Sequence, residues 1–226
     1  MSAEGWRVGK KTYGWRGQDR PDDDYYSTPP WMIQAVLREI GFSYGAILDP
    51  GAGVGVLAGE AEEWKVQNLG EAHRPPVTVV EQDTRRCTLY PRHWNTFNED
   101  FLAWAKDRKE RYDLIVVNPP FNLWLKFADA CLRLRKPGGM LLMLGTQGIL
   151  ASQRRYEWWQ ANQPSDIFQS CKRPAFRKAR TDARDYVWIK WGRGNPVHTR
   201  FRWLDTTEVR NKTRDYGRKL KLPKRE

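Results

Sequence analysis

The stretch from Ala46 to Val56, AILDPGAGVGV, constrains the fold of this chain more than any other. Ala46 to Leu48 form a short buried strand that closes on a carboxylate, Asp49. Pro50 and the glycines Gly51, Gly53 and Gly55 then turn the chain tightly, and VLAGEAEEWKV continues as a helix. A strand feeding a helix through such a turn is half of a crossover unit. Units of this kind build a parallel sheet with helices on its faces.

The alternation recurs. VTVVEQD, from Val77, is a second strand ending in Glu81, and NEDFLAW puts Asp100 at a third strand end. DLIVVN, from Asp113, is another strand, followed by the helix WLKFADACLRL. Pro137-Gly138-Gly139 turns the chain into the strand MLLMLG. After Leu150, SQRRYEWWQAN reads as a polar, aromatic helix in which Trp158 and Trp159 are adjacent, so at most one faces the core well. DIFQSCKR and DYVWIKW read as an antiparallel hairpin on the sheet edge, around the loop PAFRKARTDAR. Ahead of all these, TPPWMIQAVLREIG reads as a helix with Thr28 as its N-cap and prolines in its first turn. Met32, Ile33, Val36, Leu37 and Ile40 give it one apolar face. The expected organisation is a single domain over residues 25–205. A polar, Gly-rich, charged arm (1–24), expected to be flexible, precedes it and a basic tail (206–226) follows.

Charge narrows the partners. The 226 residues carry a net +12, which favours a polyanion, most simply nucleic acid. No apolar run approaches a membrane span, and the first residues lack the apolar stretch of a secretory signal. The three cysteines, Cys87, Cys131 and Cys171, are far apart and form no CxxC, so neither a metal site nor a disulfide framework is expected. A cytoplasmic protein is the expectation.

A glycine turn after a strand serves dinucleotides, phosphates or plain structure. Here Val56 stands where the third glycine of G-x-G-x-x-G would fall, and no Gly-Lys-Ser/Thr follows. Asp49 would repel a pyrophosphate and suits a cofactor with positive charge. S-adenosylmethionine has a sulfonium, an α-amino group and no phosphate. Gly51, Gly53 and Gly55 would let the backbone approach it closely. Glu81 would accept from ribose hydroxyls, and Asp100 from the adenine amino group.

The strand Leu114–Val117 then stops at Asn118-Pro119-Pro120-Phe121. The prolines cannot donate to a sheet ladder, so pairing ends there. The Asn118 amide oxygen and a neighbouring carbonyl are two acceptors a short distance apart. Together they can hold the two hydrogens of an amino group and turn its lone pair towards a methyl donor. Phe121 offers a ring on which a base can stack.

In these residues the chain resembles the amino-group methyltransferases, which carry (Asn/Asp/Ser)-Pro-Pro-(Tyr/Phe/Trp). It is most similar to the small N6-adenine DNA methyltransferases of phages and prophages. YYSTPPWMI, LDPGAGVGVLA, VVEQD, EDFLAW and NPPF follow in the family's order from about Tyr25 to Leu204. Further on, Arg173-Pro174-Ala175-Phe176 precedes Thr181-Asp182 and the Tyr186-Val187-Trp188 strand. The resemblance implies an α/β, Rossmann-like class I methyltransferase fold with a seven-stranded, mostly parallel sheet whose last strand is antiparallel. It implies S-adenosylmethionine held by Tyr26, Thr28, Pro29, Asp49, Gly51, Gly53, Glu81 and Asp100. It implies catalysis by Asn118, Pro119, Pro120 and Phe121 on a flipped adenine of DNA. Arg173, Phe176, Arg177, Lys178 and Arg180 form the loop expected to face nucleic acid. That loop is more basic than the family's, which leaves RNA open as the substrate. A silent nucleic-acid-binding protein on the same fold is the reading from another class. N4-cytosine chemistry usually resembles Ser-Pro-Pro-Tyr, and the charge disfavours a protein-glutamine substrate.

Overall fold

The computed structural model describes residues 27–41, 44–175, 183–192 and 198–206. Its first helix, α1, spans Pro30–Ile40. Met32, Ile33, Val36 and Leu37 are fully buried on one face, at the spacing the sequence predicts. The N-cap is Pro29 rather than Thr28, and Pro30 opens the first turn, where its missing N–H costs nothing. Thr28 is turned to another use.

The chain then alternates. Strand β1 (Ile47–Pro50) leads into helix α2 (Val56–Leu69). Strand β2 (Val77–Val80) leads into the short α3 (Thr84–Cys87), and β3 (Asn95–Phe97) into α4 (Phe101–Ala105). Strand β4 (Tyr112–Val117) leads into α5 (Trp124–Leu134) and β5 (Arg135–Thr146). Helix α6 (Tyr156–Ala161) precedes β6 (Asp166–Ser170), β7 (Tyr186–Gly192) and β8 (Arg200–Leu204).

One sheet of eight strands results, in the order β3-β2-β1-β4-β5-β7-β6-β8. Strands β1 to β5 pair in parallel, and β7 runs antiparallel between β5 and β6. The expected fold class holds, with two corrections. RFRWL, at Arg200–Leu204, adds an eighth strand parallel to β6, so the β6–β7 hairpin does not form the sheet edge. Two arginines alternate with Phe201 and Trp203 as in a strand, but over only five residues of which Leu204 alone is buried. The other correction concerns Pro137-Gly138-Gly139. These residues lie inside β5, where the pairing with β4 shifts register between Arg135 and Met140.

Each sheet face is covered by its own core. On one side, α1 and α2 pack on Ile47, Leu114, Leu142, Phe168 and Trp188. On the other, α4 and α5 pack on Leu48, Ile115, Leu141, Val187 and Ile189. This two-faced burial explains why the central strands read as continuous apolar runs. Trp158 and Trp159 both join the second face. Their rings lie 5.9 and 5.7 Å from that of Trp124, and Trp159 stacks parallel on Trp191. Both are only partly buried, packed against this core without being sunk in it. The Trp158 Nε1 donates to Asp129 at 2.7 Å, which holds that ring in place. Among the described residues, no helix is long and apolar enough to cross a membrane.

Candidate active site

The carboxyl ends of β1, β2, β3 and β4 gather the predicted residues on one rim of the sheet. Gly51, Gly53 and Gly55 all have positive φ (74°, 60° and 79°), the left-handed region where only glycine is unstrained. The loop they form is tied to β2: the N–H groups of Gly51 and Ala52 both donate to the Val80 carbonyl, at 2.7 and 3.2 Å. The Tyr90 hydroxyl donates to the Gly53 carbonyl at 2.6 Å. Gly55 is needed for space as well as for φ. A Cβ there would lie 2.9 Å from the Trp94 ring and 3.2 Å from Tyr90. Nothing in the sequence marks Tyr90 and Trp94 as supports, because they lie in irregular chain between β2 and β3.

Asp49 sits in β1 with 1% of its surface exposed. Its Oδ2 accepts from the Ala58 N–H at 3.1 Å, at the start of α2. Among the described residues no cation pairs with it. Burial, with the nearby Glu81 charge adding, pushes its carboxyl up to about 8. A positively charged group entering beside the glycine loop would supply the missing counter-charge and draw the proton off.

Glu81 directly follows β2 and is also buried. Its Oε2 accepts from the Gly53 N–H at 2.8 Å and its Oε1 from the Asp83 N–H at 2.9 Å. The residue thus braces the glycine loop, and its remaining lone pairs can accept from a ligand hydroxyl. Asp100 lies three residues beyond β3. It caps α4, accepting from the Ala103 N–H at 2.9 Å, and is exposed.

Asn118 follows β4, the strand that pairs with β1 through Ile47–Leu114 and Leu48–Ile115. That neighbourhood brings it beside the glycine loop. Its Nδ2 donates to the Thr28 hydroxyl at 3.0 Å. With Nδ2 so committed, Oδ1 is the amide atom presented as an acceptor. Thr28 itself is 5% exposed, so the segment before α1 buttresses the amide. Pro119 is buried and Pro120 exposed, and Phe121, 40% exposed, begins a single turn that leads into α5. The Phe121 ring lies 6.2 Å from that of Tyr186, the first residue of β7. Tyr186 was legible only as part of the Tyr-x-Trp pattern.

Not every predicted residue can be placed. Tyr26 lies outside the described residues, as do Phe176, Arg177, Lys178 and Arg180. Pro29 accepts from the Met32 N–H, 3.0 Å away, at the start of α1. Arg173 follows β6 on the same rim and is paired through its Nε with Asp185 at 2.8 Å. Beside it, the Lys172 ammonium lies 5.1 Å from the centre of the Trp31 ring.

No protein-family model and no curated protein matches the sequence. Solved structures do. The chain superposes on the modification subunit of a candidate type I restriction enzyme from Vibrio vulnificus YJ016, with a TM-score of 0.60 and 18% identity. That match covers 81% of this chain and 48% of the other, so the chain spans about half the length of that subunit. A candidate class I S-adenosylmethionine-dependent methyltransferase from Listeria monocytogenes gives a TM-score of 0.61 at 16% identity, over 80% of this chain and 67% of that one. A candidate RNA methyltransferase from Pyrococcus horikoshii gives 0.56 at 17%, over 80% and 94%. The chain has the class I methyltransferase fold.

Proposed function

We propose that this chain transfers a methyl group from S-adenosylmethionine to the exocyclic N6 amino group of adenine in DNA, with the target base flipped out of the helix. The observation that carries the reading is Asn118. It stands at the broken end of β4, the strand next to β1 and its glycine turn, with its Nδ2 donating to the Thr28 hydroxyl.

The residues fit the cofactor. Buried Asp49 lacks a cation among the described residues, and Glu81 retains acceptor capacity beside Gly53. When bound, S-adenosylmethionine supplies an electrophilic methyl group on a sulfonium. The Asn118 Oδ1 and the Pro119 carbonyl accept the two amino hydrogens. This turns the nitrogen lone pair out of conjugation with the ring. The prolines fix the direction of that carbonyl, and Phe121 stacks on the base. An amide takes no proton at neutral pH, so the methylated amine releases its proton to solvent. Catalysis is then positioning plus electrostatics.

The net charge of +12 supports nucleic acid, and the modification-subunit neighbour with the Asn-Pro-Pro-Phe order favours DNA. RNA is the second reading, favoured by the Pyrococcus horikoshii neighbour, 94% of whose chain the match covers. Incubation with a labelled methyl donor and either DNA or RNA, followed by digestion to nucleosides, separates them. Labelled N6-methyldeoxyadenosine is the expected product. Label in a ribonucleoside would move the substrate to RNA. Nucleic acid bound but never labelled would leave a binding protein.

A further inference from the structure

Away from the rim, on the sheet face that carries α6, lies a groove of about 550 Å³. Gln153, Tyr156, Gln160 and Gln163 line one side, Trp159 its wall and Ile167 of β6 its floor. The wall is fixed, because Trp159 stacks on Trp191 with an interplanar angle of 0°. The glutamines are exposed, and Tyr156 is 55% exposed. On the next strand Phe201 pairs in register with Ile167, and Trp203 follows on the same face. They are 52% and 70% exposed, with their rings 5.4 Å apart. Among the described residues, Tyr156 is thus an exposed ring in the groove lining, and Phe201 and Trp203 are exposed rings on the strand beside its floor.

The lining has a definite chemistry. It contains no lysine, arginine or carboxylate, so it is not a phosphate channel. Its side amides would be poorly satisfied against an apolar partner helix. Flat rings beside groups that both donate and accept match a nucleobase, whose faces stack and whose edges hydrogen-bond. Asn162 takes no part, since its side chain bonds to the Trp158 carbonyl and its own carbonyl receives Trp191 Nε1.

The register places the groove relative to the clamp. Ile167 pairs with Ile189, Ile189 with Met143, and Met143 with Val117, the residue before Asn118. Three strand spacings of about 4.8 Å make about 14 Å, or about four stacked nucleotide steps. We propose that the groove between α6 and β8 binds unpaired nucleotides flanking the target, with Tyr156, Phe201 and Trp203 stacking and the glutamines contacting base edges. This rests on the reading that the rim acts on nucleic acid.

Binding of labelled single strands by the full chain tests it, in deoxy and ribo forms. One strand carries the target adenine with about eight nucleotides on each side and the other with about two, spanning the range of single-strand site sizes. Two variants are compared: Phe201→Ala with Trp203→Ala, and Gln153→Glu with Gln163→Glu. All four side chains are exposed, and thermal melting checks the fold. Each variant is expected to lose at least about tenfold affinity for the long strand and to change within about twofold on the short one. Wild-type affinity for the long strand in both variants, with methyl transfer intact, would overturn the groove and leave the enzyme standing. Equal losses on both strands would also overturn it, as would a parent protein indifferent to length. A long-strand loss in a protein that methylates neither DNA nor RNA would keep the groove and refute the enzyme.

Discussion

With its carboxyl raised to about 8 by burial, Asp49 is mostly protonated at neutral pH in the free protein. The unfolded chain would release that proton in the ordinary carboxylate range. Between the two values the folded state binds more protons than the unfolded one, so stability falls as pH rises. Asp49→Asn should remove this slope and raise the stability of the free protein at about pH 8 by a few kcal/mol. Chemical denaturation at several pH values reads it, and equal slopes in parent and variant would contradict the assignment. Cofactor binding runs the other way. A cation favours ionised Asp49, so affinity should climb as pH rises towards about 8 and level off above it. Calorimetry of S-adenosylmethionine binding should find Asp49→Asn weak and flat over the same range.

At the scale of elements, the strands and turns around the site follow from local chemistry, and their supports do not. The three glycines of the β1–α2 turn all need positive φ, and the sequence shows why only glycine serves. That Gly55 also faces Trp94 and Tyr90 is a tertiary fact, because those rings arrive from chain some 35 to 39 residues later. Gly55→Ala should cost about 2 kcal/mol, from left-handed strain and the close ring contact, and should weaken cofactor binding by loosening the loop. Denaturant midpoints and calorimetry measure the two effects; a variant as stable as the parent would show that the rings yield. Thr28 teaches the same lesson. Its neighbours Pro29 and Pro30 made it look like a helix cap, whereas its hydroxyl holds Asn118, 90 residues away. Strand β8 was missed for a related reason. Its alternation of arginines with Phe201 and Trp203 is short, and only Leu204 of it is buried.

For the whole molecule, the repeated strand–turn–helix order made the doubly wound sheet legible. Two-sided burial turned β1, β2, β4 and β5 into apolar runs that no other fold class accommodates well. The site was legible where function breaks a local rule, at the carboxylate closing β1 and the prolines closing β4. The net charge of +12 belongs to this scale too. If about six phosphates are contacted, affinity for nucleic acid should fall about 10³-fold between roughly 50 and 200 mM salt. Titrations at several salt concentrations give the slope, and a loss under tenfold would mean that the charge serves something else.

The central claim is that β4 breaks at Asn118 to hold an amine in line with a methyl donor. It is tested most directly by measuring methyl transfer and cofactor affinity on the same preparation of Asn118→Ala. The account predicts a fall in single-turnover transfer of about 10²-fold or more, as for the loss of one preorganised transition-state contact, with cofactor affinity nearly unchanged. Transfer close to that of the parent protein would contradict it.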